Sequence, residues 1–321
     1  MLDRLKQLLE PLRPGRHDPQ LDHLVDRVVN QVERRLKVMG GYPARFRPIV
    51  GRARDYAHSL APQVPGPLPV MRADYARNPL VHALFPSADT IEEAIATSQA
   101  LQQSLHSGAM ERSETIYALL GTRRYEKQTF GMALVGETLQ RDVAQTLVYF
   151  KDHTLSVPAI SETTAREALA NHFVDSLFLR IADDIRNDVA QRQRLEVTRA
   201  ALLSQQRRCT ETERETVRQR LAQIEAELST LLDRLRLDHY PAYMEAILEA
   251  PEDYLRLEPV VIEVDGLGIK RSSNDRLAGQ FNLVEMIARD RRRWTVTLVA
   301  LPRDEVERLI RKQREKRWIL I

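Results

Sequence analysis

Residues 161–237 read SETTAREALANHFVDSLFLRIADDIRNDVAQRQRLEVTRAALLSQQRRCTETERETVRQRLAQIEAELSTLLDRLRL, without one proline or glycine. Those two residues are the poorest helix formers, so a stretch this long without them predicts helix throughout. Val217, Leu221, Ile224, Leu228, Leu231 and Leu235 alternate by four and three, the heptad seam of a coiled coil. Leu169, Phe173, Leu177, Ile181, Ile185 and Val189 recur at the spacing of a conventional buried face. Thr210 and Glu213 have capping-box spacing, so one helix is expected to end near Arg208 and a second to begin just after Cys209. A short connection favours antiparallel neighbours. At 1.5 Å per residue the first helix spans on the order of 65 Å, and the tip of the hairpin is expected to project.

Upstream, Asp18-Pro19 is a cap followed by proline at the first helical position. Leu21, Leu24, Val25, Val28, Val32, Leu36 and Met39 continue at helical spacing, and Gly40-Gly41 stops the helix. A second helix is expected from about Pro43 to Leu60. Pro62, Pro65, Pro67 and Pro69 then impose an extended connector; its PxxP spacing is read as that of a connector rather than of an SH3-type ligand. A helix is expected from near Ser87 through Leu105, with Thr90 and Glu93 at capping-box spacing, and a shorter one over Glu111 to Leu120.

The period changes beyond Gly121. Phe130–Val135 and Val143–Val157 are rich in β-branched and aromatic residues and read as a hairpin that Pro158 closes. Val260–Val264, the turn Asp265-Gly266 and Ile269–Arg271 read as a second hairpin, and Asp-Gly suits a primed turn. Phe281–Ala288 and Trp294–Ala300 form a third strand pair, followed by a helix from near Pro302. Isolated hairpins are marginal in water. The strands are therefore expected to join in one antiparallel sheet. The architecture is α+β: a helical region over 1–121, an antiparallel sheet from 122–160 and 250–321 with a C-terminal helix, and a long antiparallel coiled-coil hairpin, 161–237, inserted between strands.

The totals narrow the function little. The 321 residues carry a formal excess of only +3, too small to declare a nucleic-acid partner. One cysteine, Cys209, excludes an internal disulfide framework and a cysteine-based zinc site. The first residues lack the apolar core of a signal peptide, and no stretch approaches the ~18 apolar residues of a membrane span, so a reducing cytoplasm is the expected compartment. No cofactor and no metal site are expected. Gly266-Leu267-Gly268 is a lone GxG in a turn and carries no nucleotide signal.

Three sets of candidate residues remain. Asp152 and His153 flank a strand, where catalytic groups often sit, and are the weak candidates for chemistry. Arg289, Arg291, Arg292 and Arg293 crowd one turn, and with the basic C-terminal helix they could meet phosphates. Leu2, Leu5, Leu8, Leu9 and Leu12 make an amphipathic N-terminal segment, expected to dock on its own domain rather than on a membrane. The heptad seam itself is the expected contact surface. The function expected is that of a non-enzymatic interaction or scaffold protein whose hairpin contacts a protein partner or a second copy. Two alternatives stay open: a nucleic-acid or ribonucleoprotein binder using the arginine turn, and an enzyme whose site no motif marks.

Overall fold

The computed structural model describes residues 18–111, 113–135, 138–208, 210–271, 279–288 and 292–319. The amphipathic segment at 2–12 lies outside them. The chain divides into two compact units, one of residues 1–53 and 177–249, the other of residues 54–176 and 250–321.

The first unit is helical. Helix α1 (Pro19–Val32) starts where Asp18 accepts from the amides of Gln20 and Leu21, and it buries Leu21, Leu24, Val25, Val28, Val29 and Val32. The expected continuation to Met39 is a separate 3-10 turn over Arg34–Val38, because Glu33 leaves the helical region and caps that turn. Helix α2 (Tyr42–Leu60) begins after Gly41, whose φ is +72°. Helices α7 (Glu162–Gln206), of which residues 177–206 belong to this unit, and α8 (Glu211–Arg234) are the expected pair. The Thr210 amide donates to the Glu213 carboxylate at 3.1 Å. Asp188 meets Arg234 at 2.8 Å and Arg199 meets Glu225 at 3.2 Å, so the two helices run antiparallel. Helix α9 (Tyr240–Glu249) completes this unit.

The second unit is built on a sheet. After strand β1 (Leu68–Pro69) come four short helices: α3 (Asp74–Arg77), α4 (Pro79–Leu84), α5 (Ala88–Thr97) and α6 (Gln99–His106). The cap of α5 is Ser87, which accepts from the Thr90 amide, one turn before the Thr90–Glu93 box. The helix expected to run on to Leu105 breaks at Ser98. That hydroxyl caps α6 and also donates to the Leu155 carbonyl on the sheet, fixing the chain at the break. No helix covers the described residues between Glu111 and Leu120. Strand β2 (Thr115–Val135) already begins there, because Ile116, Ala118, Leu119 and Leu120 are all buried and a strand buried on both faces shows no alternation.

Strand β3 (Thr138–Ala159) pairs with β2, then come β4 (Leu255–Val264), β5 (Gly279–Ala288) and β6 (Arg293–Pro302), in the spatial order β3-β2-β6-β5-β4, all antiparallel. β1 pairs β6 in parallel, and Arg166 donates to the carbonyls of Ala61, Val64 and Gly66, so the proline-rich connector is held in the fold. Residues 268–271 then close the circuit. Arg271 N donates to Glu263 O on β4, while Val148 N donates to Gly268 O and Lys270 N to Thr146 O on β3. Main-chain pairing thus runs round the sheet and returns to its start. Asp265-Gly266 makes a turn, but not the primed one expected. The turn runs from Asp265 to Gly268, and Gly268 takes the positive φ.

β3 carries three bulges against β2, each beside a residue of positive φ: Asp142, Asp152 and Val157. Pro158 does not close the strand as expected. It lies in the last bulge of an edge strand, where its missing N–H costs no ladder bond. The inner face of the sheet packs Ile116, Leu120, Phe150, Leu283 and Val299 with side chains of α4 to α6 and of the last helix, α10 (Arg303–Ile319).

Candidate functional site

Alternation along β3 separates the two residues that sequence reading paired, and the bulge at Asp152 decides which face each takes. β strands alternate faces, and one extra residue resets the alternation. Asp152 turns to the outer face, where its carboxylate accepts from Tyr125 Oη at 3.1 Å and lies 3.7 Å from Arg123. His153 turns inward, stacks on Phe85 with centroids 4.5 Å apart, and donates from Nε2 to the Leu84 carbonyl at 2.8 Å. Burial lowers its pKa below the ordinary histidine value, partly offset by that hydrogen bond and by Asp152. The two do not form an acid–base pair.

The outer face around Asp152 is built in rungs. Arg123 stands directly opposite Lys151, Tyr125 opposite Tyr149, and Lys127 opposite Leu147. The two tyrosine rings stack at 5.5 Å and 15°. The Arg123 guanidinium lies 5.6 Å from the Tyr125 ring centre, and the Lys151 ammonium 5.2 Å from that of Tyr149. The hydrogen bond to Asp152 holds the Tyr125 hydroxyl protonated above its ordinary pKa.

The inner face carries a ladder of charges drawn from four strands and the closing segment. Arg256 meets Glu258 at 2.8 Å, and Glu258 meets Arg293 at 3.5 Å. Arg293 meets Glu285 at 3.1 Å, and Glu285 meets Arg124 at 2.8 Å. Arg124 also pairs with Glu126, which meets Lys270 at 3.6 Å. Cations and carboxylates alternate, and the Glu285 side chain is only 2 % exposed. Beside it Thr122 Oγ1 and Thr295 Oγ1 are buried without a hydrogen-bond partner in the protein, a cost of roughly 1–3 kcal/mol each. Neutralised in sequence, these groups hold strands in register more readily than they move protons.

A cleft of about 550 Å³ opens between Tyr75, His82 and Phe85 on one side and Tyr149, Phe150, Phe281 and the 265–268 turn on the other. That volume is in the range of small-molecule sites. Among its lining residues the one carboxylate is Asp265. Burial raises its pKa, but Arg271 and the amides of Ile269 and Leu267 outweigh that and hold it below the usual range. It braces the turn.

The other expected residues fall elsewhere. Val217, Leu221, Ile224, Leu228 and Leu231 are 3–7 % exposed, so they are buried within the hairpin, with Leu235 half-buried at its end. Of the arginine turn, Arg289 and Arg291 lie outside the described residues. Arg292 begins the return, and Arg293 belongs to the inner ladder rather than to a free basic tip. In α10, Arg308 pairs with Glu305 and Arg303 with Glu307. Among the described residues no three metal-binding side chains cluster, and no helix is long and apolar enough to cross a membrane. Sequence reading missed the outer rungs and the inner ladder, which exist only once register is known; the aromatic and basic content of 123–127 and 149–151 was their one visible sign. Comparison with protein-family models, curated proteins and solved structures finds no match.

Proposed function

We propose that this protein acts by binding rather than by catalysis, with the α7–α8 hairpin as the arm that meets a protein partner. The supporting observation is the contrast between the two sides of α8. Its seam is buried, yet every residue from 212 to 234 outside that seam is exposed. On α7, residues 193–205 are likewise exposed except for the half-buried Leu195 and Leu202. Two helices that bury little beyond their own seam add modestly to a fold's stability but present a long, rigid contact surface. Val197, 70 % exposed, and Leu232, 50 % exposed, are apolar anchors on it. The Asp152–His153 geometry, the braced Asp265 and the neutralised inner ladder support binding over chemistry.

Photo-crosslinking in the native cell tests this. A crosslinking side chain at Val197 or Gln219 is expected to capture a defined protein, whereas one at Val261 on the sheet is not. Capture of nothing from either arm position, or the same proteins from all three, would overturn the reading.

A further inference from the structure

We infer that the outer face of the β2–β3 ribbon is a platform for single-stranded nucleic acid. The argument is independent of the hairpin. Arg123 and Lys151 are direct cross-strand partners. Like charges in that position repel, and Asp152, 3.7 Å from Arg123, is the acid beside them. A local rule broken on an exposed surface is where a binding function is expected. The next rung sets Tyr125 against Tyr149, both half-buried, on the same face, and the exposed Lys127 follows on the far side. Toward the other end the Trp294 ring lies against the strand, 3.4 Å from where a Cβ on Gly121 would stand. Along the ribbon the order is therefore indole, cation pair, tyrosine pair, cation.

That alternation matches the alternating bases and phosphates of a single strand. Bases stack on aromatic side chains presented by a sheet while cations follow the backbone. A duplex hides its base faces from such rings. An anionic membrane would engage the cations without using the rings. Every base has a π-face, so recognition is tolerant of sequence.

The test is fluorescence anisotropy of labelled oligo-dT and oligo-U with the full chain in low and moderate salt. The matching duplex and vesicles of phosphatidylcholine with phosphatidylserine serve as competitors. The wild type is expected to bind single strands in preference to both. Tyr125→Ala with Tyr149→Ala should weaken binding at least about tenfold, while Tyr125→Phe with Tyr149→Phe, which keeps the rings, should stay within about threefold. Changing Arg123, Lys127 and Lys151 together to serine should lower the slope of log affinity against log salt by about 2, at ~0.7 per lost phosphate contact. No wild-type binding in low salt, equal competition by duplex or vesicles, or alanine variants that are folded and bind as wild type would each overturn the proposal. Should the alanine variants fail to fold, the phenylalanine and serine variants still decide it.

Discussion

At Asp152 a backbone φ of 57° marks the bulge that puts its side chain on the same outer face as Lys151 and leaves His153 inward. Aspartate is among the few residues that tolerate this conformation, but it takes it too seldom for the sequence to announce it. The separation of Asp152 from His153 follows from strand alternation; which face each takes does not, because the bulge sets it. His153 gives a pH signature. Its folded pKa is lowered by burial, while the unfolded value is near 6.5. The contribution is complete above about pH 6.5; below it the unfolded chain takes up a proton that the folded chain resists, so stability falls as pH drops toward the lowered value. His153→Phe keeps a ring on Phe85 and loses the bond to Leu84, at roughly 1 kcal/mol. Its melting temperature is expected to change less between pH 7.5 and 5.5 than that of the wild type; equal changes would show that His153 protonates freely. Glu285 offers a second contrast. Glu285→Leu removes the acid shared by Arg124 and Arg293, which keep Glu126 and Glu258, and should cost about 1–3 kcal/mol in urea unfolding. Glu258→Gln, at the solvent end of the same ladder, should cost under about 1 kcal/mol.

Among the elements, those that form from local sequence were legible. The capping box at Thr210, the cap at Asp18 and the heptads of α8 each act within a few residues, and each lies where its spacing placed it; the glycine stop does not, because α1 already ends at Val32. The start of β2 was not, since Ile116–Leu120 is apolar without a period. Leu228→Asp puts a charge into the buried seam and should lower stability by several kcal/mol, whereas Glu227→Asp on the exposed side should be nearly silent. Equal melting temperatures for the two would refute the seam. In the closing segment Gly268 has a φ of +78°, and a Cβ there would come within 2.7 Å of the Val148 carbonyl oxygen. Gly268→Ala is expected to cost roughly 2 kcal/mol and to speed amide exchange at Val148. Gly266→Ala meets nothing within 4 Å and should stay within about half a kcal/mol. Two glycines two residues apart look alike in sequence; the register of β3 against the turn tells them apart.

For the molecule as a whole, one antiparallel sheet with a helical hairpin inserted between its strands was legible from the order of periods alone. The return of the sheet to its own first strand was not, because Gly268 and Val148 are remote in sequence and their pairing is entirely main-chain. The inner ladder was hidden for the same reason. Because the hairpin satisfies its own seam, the purified protein is expected to sediment as one species at all micromolar concentrations. A concentration-dependent dimer abolished by Val197→Glu would instead make a second copy the partner of the arm.

β3 ends at Ala159 and β4 begins at Leu255, with only helices and short connections between. During synthesis the β2–β3 ribbon therefore leaves the ribosome well before the strands that complete it. Domains assemble in the order in which they are made, and an unpaired strand edge in that interval invites pairing with a neighbouring nascent chain. The helical pair can form within microseconds, and by drawing its own ends together it shortens the span that later strands must bridge. Of the ribbon's two edges, β2 waits for β6 and β3 for residues 268–271, and the outer one, β3, is kinked at Asp142, Asp152 and Val157. Those kinks make it a poor template for any strand but its own.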